Sequence, residues 1–230
     1  MAVSSPPPPP RSTLVRHLRT ADTKLSYYLH SLFNPYLPIF LLLLLEYSAD
    51  FRLFFPVSAA LLLSPQLLPF ASPLILGLLL DLALVGLIKS IFRRSRPVYN
   101  HNMSPVVSVD HFSFPSGHAS RIFFVATVVS LSSQAIGAAL AKMKAGSGGG
   151  FVDQWFGGDE RNVVGIVVAV VYVWAATTAT SRVVLGRHYV FDVLAGAFVG
   201  VLEGLFAFRF LRFEDFFSFV LYQKVGQVAG

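Results

Sequence analysis

His188 and Asp192 stand four residues apart at the head of a long apolar run. On a helix, that spacing lets a carboxylate meet one imidazole nitrogen. The tautomer is then fixed and the other nitrogen is left free to attack. Ser181 and Arg182 precede them, and Arg182 can hold a phosphate. A second cluster, Pro115-Ser116-Gly117-His118, opens another apolar run. Gly117 lets the backbone approach a ligand closely. Ser116 and the free N–H groups of a helix start suit an anion. His118 can give or take a proton near neutral pH. The third cluster runs from Lys89 to Arg96-Pro97. Lys89, Arg93 and Arg96 are spaced i, i+4, i+7 and share a face if the helix continues to Pro97. Three cations on one face repel unless an anion neutralises them, and phosphate does so through the arginine fork.

Taken singly, each cluster has a plainer reading. The cations could be a positive flank or a lipid-headgroup patch. The Ser-Gly pair could be an ordinary helix cap, and His188–Asp192 an i,i+4 pair ending a span. The elements that carry the clusters decide whether they can meet.

The chain has 230 residues, of which 54% are hydrophobic and 13% charged. An ordinary soluble domain carries about 25% charge. This composition excludes disorder and points to an all-α, polytopic membrane bundle. There is no cysteine, which excludes disulfides, zinc-thiolate sites, iron–sulfur clusters and thiol nucleophiles. Six segments approach the ~20 apolar residues of a membrane crossing. They lie at about Leu32–Tyr47, Phe51–Phe70, Pro73–Phe92, Ala119–Ala141, Val163–Thr180 and Val190–Phe210. The competing count is five spans with an interfacial helix, because Pro35 and Pro38 interrupt the first segment. The expected division is a basic, Pro-rich cytosolic tail over 1–30, a membrane domain over 31–213 and a cytosolic tail over 214–230. The Gly-rich stretch 145–158 reads as a linker, with Trp155 and Phe156 as interface anchors.

With six spans, all three clusters reach one membrane face. Cations outside the motifs gather in the N-terminal segment (Arg11, Arg16, Arg19, Lys24), the 142–162 loop and the C-terminal end. Positive loops stay cytoplasmic. Both termini are therefore expected in the cytosol and the motif loops on the lumenal or external face. The net charge of +6 is then a topology signal plus an anion site, and no nucleic-acid partner is expected.

Together the clusters read K-x6-R-P at 89–97, P-S-G-H at 115–118 and S-R-x5-H-x3-D at 181–192. In order and spacing this resembles the type 2 phosphatidic acid phosphatase superfamily, the lipid phosphate phosphatases, over about residues 30–210. It resembles the small plant-type members and is also similar to the polyisoprenoid diphosphate phosphatases. The resemblance implies that His188 is the nucleophile, forming a phosphohistidine, and that Asp192 orients and charge-stabilises it. It implies that His118 protonates the leaving alkoxide and then activates water. Lys89, Arg96 and Arg182 would bind the phosphoryl oxygens, and Ser116 and Gly117 would complete the cradle. No metal or other cofactor is implied, and no His/carboxylate cluster in the sequence resembles a two-metal site. Arg93 lies outside the signature and is given a supporting role.

The expected substrate is a membrane lipid phosphate, phosphatidate first and an isoprenoid diphosphate second. An anion transporter or channel is the reading from a different class, although it leaves His118 and the His188–Asp192 spacing without a purpose. The endoplasmic reticulum is the expected membrane, with the plastid as alternative because the N-terminus is poor in acids. Asp81 and Glu203 fall within spans and are expected to hold the bundle together. Asn102-Met-Ser104 is a glycosylation sequon. Tyr99, His101, Asp110 and His111 form a polar loop.

Overall fold

The computed structural model describes residues 13–63, 67–99, 111–147 and 159–213. The Asn102 sequon, His101, Asp110, Trp155, Phe156, residues 148–158 of the Gly-rich stretch and the two outer tails lie outside the described residues. Among the described residues the chain forms eight helices: α1 (Thr13–Phe33), α2 (Ile39–Ser48), α3 (Phe51–Leu61), α4 (Leu68–Phe92), α5 (Gly117–Leu131), α6 (Ser133–Ser147), α7 (Glu160–Val184) and α8 (Val190–Phe210). Lipid offers the backbone no hydrogen bonds, so apolar segments satisfy their own as helices. Side-chain caps set several starts. Asp50 accepts the Arg52 N–H at 2.9 Å, and Asp159 accepts that of Arg161 at 2.9 Å.

Three helices, α4, α7 and α8, are long and apolar enough to cross a membrane, and α5 with α6 qualifies as one span bent by 61° at Ser132. Among the described residues six crossings are not reached. The first two expected spans are instead α2 and α3, of 10 and 11 residues. At ~1.5 Å per residue each covers about half of the ~30 Å hydrocarbon core. Pro35 and Pro38 fall in the turn before α2, and Asp50 starts a new helix before the old one has spanned. Leu79, Leu87, Val170, Val173, Phe198 and Leu205 are exposed on the long helices, as lipid-facing residues would be.

A second departure concerns α1. The boundary expected at residue 30 falls inside this helix, which packs on α7 and α8. Its buried residues are Asp22 and Ser26, and it exposes Leu14, Leu18, Leu25 and Tyr28. Both buried side chains bond to the backbone at the start of α8. Asp22 and Ser26 therefore lie at the end of the bundle that carries the motif loops.

α5 is the central helix and packs most closely against α8. Gly196, Gly200 and Gly204 line the α8 face of this contact. A Cβ on Gly196 would run into the Ser116 carbonyl oxygen, and one on Gly200 into that of Ser120. Small residues at this i, i+4 spacing let two backbones meet. Phe124 and Val128 of α5 pack with Leu74, Leu78 and Ala207 of α4 and α8, and Ala119 and Ile122 pack with Ala175 and Ala179 of α7. Asp81 and Glu203 are buried in this core, as expected of a clasp. Arg121 lies 3.1 Å from Asp81 and donates to the Ala49 carbonyl at 3.1 Å, and Ser120 donates to Glu203 at 3.2 Å. The close α5–α8 contact fixes the start of one helix against the start of the other, where two of the three clusters lie.

Candidate active site

Three chain segments meet at one end of the bundle. The first is the end of α4 and the extended residues after it. The second is the loop into α5. The third is the tight turn from α7 to α8. Gly186 makes that turn with φ +68°, a left-handed conformation suited to glycine. The turn is closed by the Arg187 and His188 amides, which donate to the Arg182 carbonyl at 2.9 and 3.2 Å. The Ser116 amide donates to the Asp192 carbonyl at 2.9 Å, which ties the second segment to the third. The Ser113 amide donates to the Arg94 carbonyl at 2.8 Å, which ties the first to the second.

His188 sits in the centre, 1% exposed. Its Nδ1 lies 2.7 Å from the Ser113 carbonyl oxygen. A carbonyl only accepts, so Nδ1 carries the proton. Nε2 lies 3.3 Å from Nη1 of Arg96. A guanidinium only donates, so Nε2 presents its lone pair on that side. Both contacts select the same neutral tautomer. Burial and the charges of Arg96, Arg182 and Lys89 push the His188 pKa well below the usual 6.5. A neutral imidazole with its free nitrogen facing a cation is a nucleophile poised for an anionic substrate.

Asp192 does not pair with His188 as the i, i+4 spacing suggested. Its Oδ2 is 3.9 Å from Nδ1. His188 precedes the helix, which begins at Val190, so the two never share a helical face. Asp192 is instead the third residue of α8 and accepts the N-cap Tyr189 N–H at 2.9 Å. Its other oxygen accepts from Arg94 at 2.7 Å. It acts on His188 as a nearby charge and as a brace for the turn.

The remaining sequence-expected residues fall in two groups. Lys89, Ser116, Arg182 and His188 are buried together, with Gly117, His118 and Arg96 partly exposed beside them. The charges of Arg182, Lys89 and Arg96 also act on His118. Ser116 caps α5 and accepts the Ala119 N–H at 3.4 Å. Arg93 stands apart. α4 ends at Phe92, so the shared face of Lys89, Arg93 and Arg96 does not continue. Arg93 caps the helix with φ 45°, is exposed, and donates to the Ser90 carbonyl at 2.8 Å. In the loop, His111 is exposed and Tyr99 stacks on His30 at 4.7 Å.

The comparisons with known proteins agree with this geometry. The sequence model of the PAP2 superfamily matches residues 70–215. That range holds all three clusters. A protein of Arabidopsis thaliana named Probable lipid phosphate phosphatase beta is 52% identical over 196 residues, 84% of this chain and 90% of its own. The chain belongs to the PAP2 superfamily. Two solved structures share its architecture at 21% identity. Aquifex aeolicus LpxE has a TM-score of 0.55, covering 81% of this chain and 94% of its own. The PAP2-type phosphatidylglycerolphosphate phosphatase of Bacillus subtilis has a TM-score of 0.53, covering 83% and 84%.

This PAP2 enzyme uses several residues that sequence reasoning passed over. Ser113 fixes the His188 tautomer through its backbone, and no side-chain pattern signals that. Arg94 holds the place expected of Arg93: its guanidinium bridges Asp192 and Asp22 at 2.7 and 2.6 Å and lies over the Tyr189 ring at 4.0 Å. Glu46 of α2 lies 3.1 Å from Arg182 and 3.7 Å from Arg187, so this short helix also reaches the site. The available signals were an acid near the end of an apolar run for Glu46, and the G-x3-G-x3-G pattern of 196–204 for the α5–α8 contact.

Proposed function

We propose that this PAP2 enzyme is a membrane lipid phosphate phosphatase that hydrolyses a phosphomonoester such as phosphatidate. The reaction passes through a phosphohistidine on His188 and needs no metal. The observation that carries this reading is the neutral His188, its Nε2 lone pair facing Arg96 and its Nδ1–H held by Ser113.

Nε2 attacks phosphorus and the P–O bond to the lipid alcohol breaks. His118, protonated once the substrate's phosphate offsets the surrounding cations, gives its proton to the departing alkoxide. A water then attacks the phosphohistidine, His118 takes its proton, and the P–N bond breaks to release phosphate. Lys89, Arg96 and Arg182 offset the charge on the phosphoryl oxygens, the task a metal performs elsewhere. Ser116 and the Gly117 backbone complete the cradle. Beneath the α7–α8 turn, an apolar cleft of about 310 Å³ is lined by Phe33, Phe123, Ala179, Val183, Val190 and Val193. It suits a hydrocarbon tail that stays in the bilayer while the headgroup meets the cations. The endoplasmic reticulum remains the proposed membrane, tested by imaging the tagged chain.

The deciding experiment is phosphate release by purified protein in EDTA from phosphatidate, lysophosphatidate, a sphingoid phosphate and farnesyl diphosphate. The expected result is release that is fastest with phosphatidate and lost in His188→Ala, with an acid-labile phosphoenzyme in the wild type. Preference for farnesyl diphosphate would move the substrate to the isoprenoid class. Activity in His188→Ala would end the proposed mechanism, and no release from any substrate would end the phosphatase reading.

A further inference from the structure

Asp22 lies on α1, 169 residues before Phe191, yet it is buried against the start of α8. Both of its carboxylate oxygens are committed. Oδ1 accepts the Phe191 N–H at 3.0 Å and Oδ2 accepts from Arg94 at 2.6 Å. One helical turn on, Ser26 accepts the Val190 N–H at 2.9 Å and donates to the Asp22 carbonyl at 2.7 Å. Val190 and Phe191 are the first two residues of α8, whose N–H groups have no partner within their own helix. Tyr189 at the N-cap offers no side-chain cap to them. A separate helix caps α8 in its place.

The second oxygen of Asp22 reaches further. Arg94 spans Asp22 and Asp192, so the guanidinium is held between two buried carboxylates. Asp192 in turn lies 3.9 Å from His188. The order Asp22, Arg94, Asp192, His188 forms one charge-alternating chain from α1 to the nucleophile. Removing the Asp22 charge leaves Arg94 with a single carboxylate and loosens two of the groups that set the turn.

We propose that Asp22 is a positioning residue for the reaction, acting through Arg94 and the first turn of α8 on Asp192 and His188. It touches neither substrate nor reacting atoms. The inference rests on the phosphatase reading above. A positional error of this kind lowers turnover more than binding, because Lys89, Arg96 and Arg182 stay in place to hold phosphate. The expected loss is about 10- to 100-fold in kcat.

The test compares Asp22→Asn, Arg94→Gln and the double variant with wild type, on the panel substrate that wild type turns over fastest. Thermal midpoints are measured on the same samples. Asp22→Asn should lower kcat about 10-fold or more with KM within about twofold of wild type. The double variant should fall no further than Arg94→Gln alone, because the two residues act as one unit. Wild-type kcat in a folded Asp22→Asn protein overturns the inference, as does a double variant whose losses multiply. A loss that disappears when the assay is cooled well below the variant's thermal midpoint also overturns it, by showing a purely structural role. If Asp22→Asn does not fold, Arg94→Lys carries the test. It keeps a cation but cannot fork to two carboxylates, so reduced kcat with retained KM supports the inference and unchanged kcat overturns it. A wild-type protein that releases phosphate from no panel substrate overturns the functional reading and this inference with it.

Discussion

His188 donates its Nδ1–H to the backbone carbonyl of Ser113 at 2.7 Å, and Asp192, its expected partner, stands 3.9 Å away. The tautomer of His188 is thus held by a peptide group that no side-chain substitution removes. Asp192 contributes charge and bracing.

This arrangement separates two variants that the spacing alone would treat as equivalent. His188→Ala should abolish phosphate release. Asp192→Asn should lower kcat by about 10²-fold and retain a rate well above His188→Ala, because the Ser113 carbonyl still selects the tautomer. A smaller loss than in serine-protease triads, where replacing the aspartate costs about 10⁴ by selecting the wrong tautomer, is the expected mark of the backbone acceptor. Steady-state rates of the purified variants check it.

The neutral state of His188 links stability to pH. Its folded pKa lies below 6.5, while the unfolded chain titrates near 6.5. Between those values the unfolded chain binds more protons, so stability falls as pH drops through that window and is insensitive to this group above it. The thermal midpoint in detergent should be lower at about pH 5.5 than at about pH 7.5. In His188→Asn that difference should shrink. Differential scanning fluorimetry across the pH range measures both.

The α5–α8 contact makes a packing prediction. In Gly200→Ala the new methyl meets the Ser120 carbonyl, with the carbonyl carbon at 2.8 Å and the Phe124 nitrogen at 2.9 Å. Backbone cannot step aside as a side chain can, so the helices must separate. The expected cost is about 1–3 kcal/mol, with activity reduced because the start of α5 carries Ser116, Gly117 and His118. Gly165→Ala, inside α7 where a Cβ meets nothing within 4 Å, is the matched control and should not lower the thermal midpoint, since alanine favours the helix over glycine.

The docking of α1 predicts a membrane sidedness. The chain has no cysteine, so single cysteines report cleanly. Thr20→Cys on α1 and His111→Cys in the motif loop should react with an impermeant maleimide from the same side of sealed vesicles. Arg161→Cys, at the far end of the 25-residue α7, should react from the other. Labelling of Thr20→Cys and His111→Cys from opposite sides would contradict the placement of α1.

Much of the site was legible in the sequence because its chemistry depends on residue type. Only cations neutralise a phosphate, only a few side chains attack it, and both must sit at the ends of apolar runs that cannot hold charge in the middle. Lys89, Arg96, Ser116, His118, Arg182 and His188 could be named for those reasons, and the composition required helices because lipid leaves the backbone no other partner. What the sequence could not supply was anything set by where a helix begins or ends. α4 stops at Phe92, so Arg94 and not Arg93 faces the site. α8 starts at Val190, so His188 lies outside it and turns to the Ser113 carbonyl. α2 and α3 break at Asp50, which brings Glu46 to Arg182. Asp22 joins the nucleophile's surroundings through backbone N–H groups that look alike at every position in a sequence. Residue chemistry is written locally, whereas backbone acceptors, helix ends and the partner of a buried charge exist only once distant segments are packed together.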